Sequence, residues 1–131
     1  MNLTERRQFI QCSANPDPAR DYVTAMSGHI ATSDPQMSYA VRLRYVPDRL
    51  ILEPDNISAY FARLSACPWP SLEALTTALL GDIQNELVPR WVQIYTEIRW
   101  SQNAHLDLQS TLAEDRQPGW KNDDLLARLD V

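Results

Sequence analysis

Apolar and polar residues alternate singly through Tyr39, Val41, Leu43 and Tyr45, with Arg42 and Arg44 on the opposite side, the pattern of a strand with one buried face. Val46-Pro47-Asp48-Arg49 breaks the alternation, because proline cannot donate to a ladder and presets a turn. Leu50, Ile51 and Leu52 then run extended to a carboxylate, Glu53. Upstream, Asn15-Pro16-Asp17-Pro18 is a turn-rich entry, after which Tyr22, Thr24 and Met26 alternate with Val23 and Ala25. This predicts a first strand over residues 20–26, joined to the second by residues 27–36 in an antiparallel hairpin.

Beyond Glu53 the period changes. Pro54-Asp55-Asn56 offers capping groups, and Ile57, Tyr60, Phe61 and Leu64 fall at helical spacing until Cys67-Pro68-Trp69-Pro70 stops them. Ser71 caps a second helix with an apolar stripe of Leu72, Leu75, Leu79, Leu80, Ile83 and Leu87, ended by Pro89. Period two returns over residues 90–100, with Val92, Ile94, Ile98 and Trp100 on one face and Trp91, Gln93, Tyr95, Glu97 and Arg99 on the other. Ser101-Gln102-Asn103 turns the chain into a short last strand, residues 105–109. The predicted order is β-β-α-α-β-β, an α+β fold with a four-stranded antiparallel sheet and two helices on one face. At the start, Leu3, Phe9 and Ile10 allow one turn of amphipathic helix or a loose arm; at the end, Pro118-Gly119 is a break before a short helix bearing Leu125, Leu126 and Leu129.

The bulk numbers narrow the class. A chain of 131 residues, 44% hydrophobic and 22% charged, describes one globular domain, drawn here over residues 15–110 with an arm (1–14) and a tail (111–131). A net charge of −5 with scattered basic residues argues against a nucleic-acid partner. No apolar run reaches the ~20 residues of a membrane span and the first residues lack a signal-peptide core, so no membrane partner and a cytoplasmic location are expected. Cys12 and Cys67 lack metal-ligand spacing, and with only His29 and His105 neither a metal site nor a disulfide is expected.

Three strings resemble a known family: Asn15-Pro16-x-Pro18-x-Arg20-Asp21-Tyr22, Tyr45-Val46-Pro47-Asp48 with Glu53 shortly after, and Pro89-Arg90-Trp91-Val92-Gln93-Ile94. In order and spacing they resemble the tunnelling fold and, within it, the queuosine-pathway nitrile reductases that convert 7-cyano-7-deazaguanine to its aminomethyl product. The resemblance implies a cysteine nucleophile in a Cys-Pro-x-Thr-Gly-Gln-Pro-Asp segment, an aspartate at its end that moves protons, and lysines after the glutamate for NADPH phosphates. The corresponding segment here, Ile30-Ala31-Thr32-Ser33-Asp34-Pro35-Gln36-Met37, is shorter and has no cysteine; Asp34 is a displaced counterpart of the aspartate at most. The residues after Glu53 contain no lysine up to Tyr60, so neither NADPH nor another cofactor is expected. Counting back from Pro89-Arg90, Glu73 falls where the family has the glutamate that anchors the amidine edge of purine- or pterin-like ligands, while the histidine before it has become Leu72.

Each candidate also has a plainer reading. An acid such as Glu73 in the first turn of a helix stabilises the helix dipole by roughly 0.3 to 1 kcal/mol without any ligand. Glu53, a ligand residue by resemblance alone, also suits a pre-helical capping acid. Cys67, between the helices, is either a relocated nucleophile or an inert thiol. His105 has the intrinsic pKa of an acid or base, or is merely exposed. Trp69, Trp91 and Trp100 suit stacking on a heterocycle or core packing, and Arg42 and Arg44 a ligand or a solvated face. Two functions compete: binding of a purine-, deazapurine- or pterin-like molecule at a subunit interface through Glu73, or a catalytically inactive tunnelling-fold subunit serving assembly, alone or with a partner subunit. Either implies an oligomer, because the sheet face without helices needs cover, with residues 22–26 and 91–99 as contact faces.

Overall fold

The breaks and periods resolve into ten elements in the computed structural model, which describes residues 2–101 and 104–129. In chain order they are α1 (Leu3–Arg7), β1 (Cys12–Ala14), β2 (Thr24–Ala31), β3 (Ser38–Val46), β4 (Leu50–Leu52), α2 (Pro54–Leu64), α3 (Leu72–Leu87), β5 (Trp91–Arg99), β6 (Leu108–Arg116) and α4 (Asp123–Leu126). The main sheet has the order β2-β3-β5-β6 with every neighbouring pair antiparallel, and β1 pairs with β4 in a separate two-stranded ribbon. The architecture is α+β.

Both long helices lie on one face. Ile57, Tyr60, Phe61 and Leu64 of α2 and Leu75, Leu79, Ile83 and Leu87 of α3 pack with Ile30, Val41, Leu43, Tyr45, Val92 and Ile94 of the sheet. Proline in the first turn preorganises α2 after Glu53, and the Ser71 hydroxyl accepts from the Ala74 N–H at 3.0 Å to start α3. Gly28 lets α2 come close: a Cβ there would meet the Phe61 ring at 3.0 Å. Thr76 of α3 and Thr96 of β5, both buried, satisfy each other across the layer at 2.6 Å. Tyr45 joins the two sheets by accepting the Leu52 N–H at its hydroxyl, and its burial raises the pKa of that group.

Several sequence expectations shift. The first strand is β2, residues 24–31 and not 20–26, so the connection shrinks to residues 32–37; Pro18, Arg20 and Asp21 are taken up by polar contacts with Arg90 that hold the chain out of the sheet. The last strand is β6, residues 108–116 and not 105–109, which takes the first part of the supposed tail into the sheet. It is an edge strand whose leucines, Leu108 and Leu112, are exposed and interspersed with polar residues, so hydrophobic alternation did not mark it. Of the predicted turn between these strands, Gln102 and Asn103 lie outside the described residues. Trp100 falls beyond the end of β5 and is 40% exposed.

The N-terminal segment is no loose arm. Ile10 is 4% exposed and joins the core, β1 adds to β4, and α1 is tied down through Asp82 of α3. That carboxylate is fully buried; it receives Arg6 Nε at 3.0 Å, Arg7 Nε at 2.9 Å and the Tyr60 hydroxyl at 2.6 Å. Burial, reinforced by the adjacent charge, pushes the Tyr60 hydroxyl far above its ordinary pKa, so it stays a donor.

Candidate functional site

The strings that gave the resemblance converge on one side chain. Arg90 enters β5 and donates from Nη1 to Asp21 Oδ1 at 3.0 Å and the Arg20 carbonyl, and from Nη2 to the Pro18 carbonyl and Asp48 Oδ1 at 3.3 Å. Asn15 extends the cluster: its Nδ2 donates to the Asp48 carbonyl, and its Oδ1 accepts from the Asp17 N–H and the Tyr22 hydroxyl. The C-terminal segment closes it, Trp120 Nε1 and Asn122 Nδ2 donating to Asp21 Oδ2 and Gln117 Nε2 to Asp48 Oδ2. Burial pushes the Asp21 carboxyl up, but hydrogen bonds from Asn122, Arg90 and Trp120 outweigh it and hold the group below the usual carboxylate range. Each side chain named in this hub has a hydrogen-bond partner within it, so these strings contribute to the fold, and the candidate site residues are other ones.

Those other residues lie mostly at the opposite end of the sheet. The pairing registers put Ile30, Tyr39, Ile98 and Gln109 in one row across the four strands. At the β6 end of that row Glu73 is exposed in the first turn of α3, and its Oε1 accepts from Gln109 Nε2 at 3.0 Å. At the β2 end the Ser65 hydroxyl accepts the Ala31 N–H at 2.9 Å, bringing the linker after α2 against the segment after β2. Between them is a cavity of about 400 Å³ lined by Ala31, Thr32, Ser33, Tyr39, Cys67 and Trp69. Cys67 is therefore beside the segment where the resemblance expects a nucleophile, although the two are about thirty residues apart in sequence. Its thiol is half-buried and 3.6 Å from the Arg63 carbonyl.

Glu73 meets the β6 end of this row, whereas Cys67 lines the cavity at its β2 and β3 end. Asp34 is exposed in the connection, with its own Oδ1 accepting the Gln36 N–H. Glu53 occupies the N-cap position of α2 without a side-chain cap bond. His105 is exposed in the loop before β6, not on a strand, because β6 starts three residues later. Trp69 donates to the Leu64 carbonyl at 3.0 Å and Trp91, 1% exposed, to Glu114 Oε2 at 2.9 Å, so both have structural partners. Both cysteines are free thiols, and among the described residues no three His, Cys, Asp or Glu side chains are grouped as a metal would require. Nor, among them, is any helix long and apolar enough to cross a membrane.

One feature of the opposite sheet face was not legible in the alternation. Arg44, expected on a solvated face, is 8% exposed and donates through Nε to Gln93 Oε1 at 2.9 Å, with Nη2 also on that oxygen. Arg44 lies on a central strand between β2 and β5, and what surrounds it there is not revealed by strand period alone.

No family model matches the chain. Two curated proteins of Acidithiobacillus ferrooxidans, from different strains, are each 28% identical to it over 122 residues, covering 88% of this chain and 83% of their own length. Both are named NADPH-dependent 7-cyano-7-deazaguanine reductase. The chain is thus a distant relative of these reductases along most of its length.

Proposed function

We propose that the chain is a tunnelling-fold protein, related to the nitrile reductases, that binds a purine-, deazapurine- or pterin-like molecule between copies of itself through Glu73, without NADPH-dependent reduction of a nitrile. The observation that carries this reading is the position of Glu73, an exposed carboxylate at an open sheet edge with a neutral amide as its bonded neighbour. A carboxylate in that state accepts two parallel N–H bonds from an amidine edge, gaining orientation as well as energy. The strand directions support a shared site. β2 and β6 run antiparallel through the intervening strands, so β6 of one copy laid against β2 of the next brings the Gln109 end of one against the Ile30 end of the other. Glu73 then faces the Cys67 cavity of the neighbouring copy. The absence of a cysteine in residues 30–37 and of lysines between Glu53 and Tyr60 supports the loss of reductase chemistry.

A second reading, an inactive subunit serving assembly alone or with a partner subunit, is favoured by the hub around Arg90, which uses the family-like strings for structure. Calorimetric titration of guanine, 7-deazaguanine and pterin separates the two. At least one is expected to bind the native chain, and Glu73→Ala to weaken it tenfold or more, as the loss of a charged hydrogen-bond pair of about 1.5–3 kcal/mol requires. Binding by neither protein leaves only the assembly reading; equal binding by both removes Glu73 as the anchor. Oxidation of NADPH by 7-cyano-7-deazaguanine in the presence of the chain would overturn the loss of reduction.

A further inference from the structure

The helix-free face of the sheet is a second concavity, independent of Glu73. The registers align Ser27, Arg42, Tyr95 and Leu112 in one row of this face and Ala25, Arg44, Gln93 and Glu114 in the next. Small residues on β2 and the C-terminal residues Leu126 and Leu129 wall a trough of about 940 Å³ above these rows. That volume is within the usual range for organic-ligand sites. Its two acids are engaged: the Tyr95 hydroxyl donates to Glu97 Oε1 at 3.0 Å, Arg99 lies 3.8 Å from Glu97 Oε2, and Trp91 donates to Glu114.

Arg42 is different. Its guanidinium lies over the Tyr95 ring, 5.6 Å from the centroid, and its Nε is the one buried side-chain nitrogen or oxygen among the described residues that has no hydrogen-bond partner. An unpaired N–H of a permanent cation favours an acceptor beside it, and the cation–π contact keeps the guanidinium at the wall of the trough. The surrounding wall is partly apolar: Leu112 is 56% exposed towards the trough, opposite Tyr95. A bare inorganic ion would leave that wall wet.

We infer that this trough binds a small organic oxyanion, an aromatic carboxylate or phosphate ester, with Arg42 donating to the anionic oxygens and Tyr95 and Leu112 holding the planar body. A guanidinium offers parallel N–H donors that match the two oxygens of a carboxylate or phosphate. Arg42 acts here as a binding residue.

The test is a calorimetric titration of the full-length chain and its variants with benzoate, phenyl phosphate and inorganic phosphate, paired in the native protein with NMR on the arginine Nε–Hε resonances, with that of Arg42 assigned by its loss in Arg42→Lys. Benzoate or phenyl phosphate is expected to shift the Arg42 signal saturably, and whichever binds tighter identifies the carboxylate or the phosphate ester. Arg42→Lys, which keeps the charge and loses the fork, is expected to weaken binding at least tenfold, and Arg42→Gln to abolish it. Glu73→Ala is expected to leave it unchanged, so failure of this site and failure of the Glu73 reading are separable. No saturable shift with any of the three anions overturns the proposal in the native protein, whatever the variants do. So does equal binding by Arg42→Lys and Arg42→Gln, or inorganic phosphate binding as tightly as the aromatic anions, which marks an adventitious ion only.

Discussion

Val88 ends α3 in the left-handed region, at φ 47 and ψ 57, with its N–H still bonded to the Gln84 carbonyl at 3.0 Å. Glycine is the usual residue at such a cap, because a β-branched side chain crowds the following carbonyl there by about 1–2 kcal/mol. The Val88 side chain is 56% exposed, so its packing loss is small. Val88→Gly is therefore expected to stabilise the chain by up to about 1 kcal/mol after the extra freedom glycine gives the unfolded chain, raising the thermal midpoint by a few degrees. A lower midpoint in the melting curve would mean that the valine side chain contributes more by contact than its conformation costs. At this same scale Cys67 was legible as a candidate from residue type and Glu73 from its position in the family resemblance, whereas the burial of Arg44 was not, because exposure depends on neighbours that come from other strands.

Among the elements, α1 is the one whose attachment rests on charge. It is five residues long with no buried residue of its own, too short to persist by helix propensity. Arg6 and Arg7 hold it to the fully buried Asp82, with the Tyr60 hydroxyl supplying the third donor from α2. Removing one partner of such a buried pair typically costs about 3–5 kcal/mol, because the remaining charge loses its compensation. Asp82→Asn should approach the lower end, since both arginines are partly exposed and can swing to water once α1 detaches, and denaturant unfolding measures the loss. The accompanying expectation is faster tryptic cleavage at Arg6 and Arg7 under native conditions; cleavage at the native rate would mean that Ile10 and β1 alone keep the segment docked.

For the whole molecule the decisive fact is that β2 and β6 both end the main sheet with an unpaired edge. Exposed edges of this length template pairing with another chain unless something blunts them. A stable oligomer is expected in sedimentation equilibrium at micromolar concentration, and Ser110→Pro on the outer strand β6 should shift it towards monomer, since proline removes a donor from that strand. A native monomer at that concentration would remove the subunit-interface site and leave the Arg42 trough as the ligand site to test.

The helices α2 and α3, the strands β3 and β5 and the inward faces of all four followed from local order along the chain, because side-chain period and capping residues are properties of neighbours in sequence. The same order revealed that residues 30–37 hold no cysteine and that Glu73 opens a helix. Only the tertiary structure decided that the segment around Arg20 and Asp21 leaves the sheet to meet Arg90, that a polar stretch becomes β6, and that α1 docks on Asp82. It also brought Cys67 beside residues 31–33 and set Glu73 on the far edge of the same row. Each of these depends on partners from about ten to about seventy-five residues away, and such pairing is selected by packing and charge compensation across the fold, which no local period encodes.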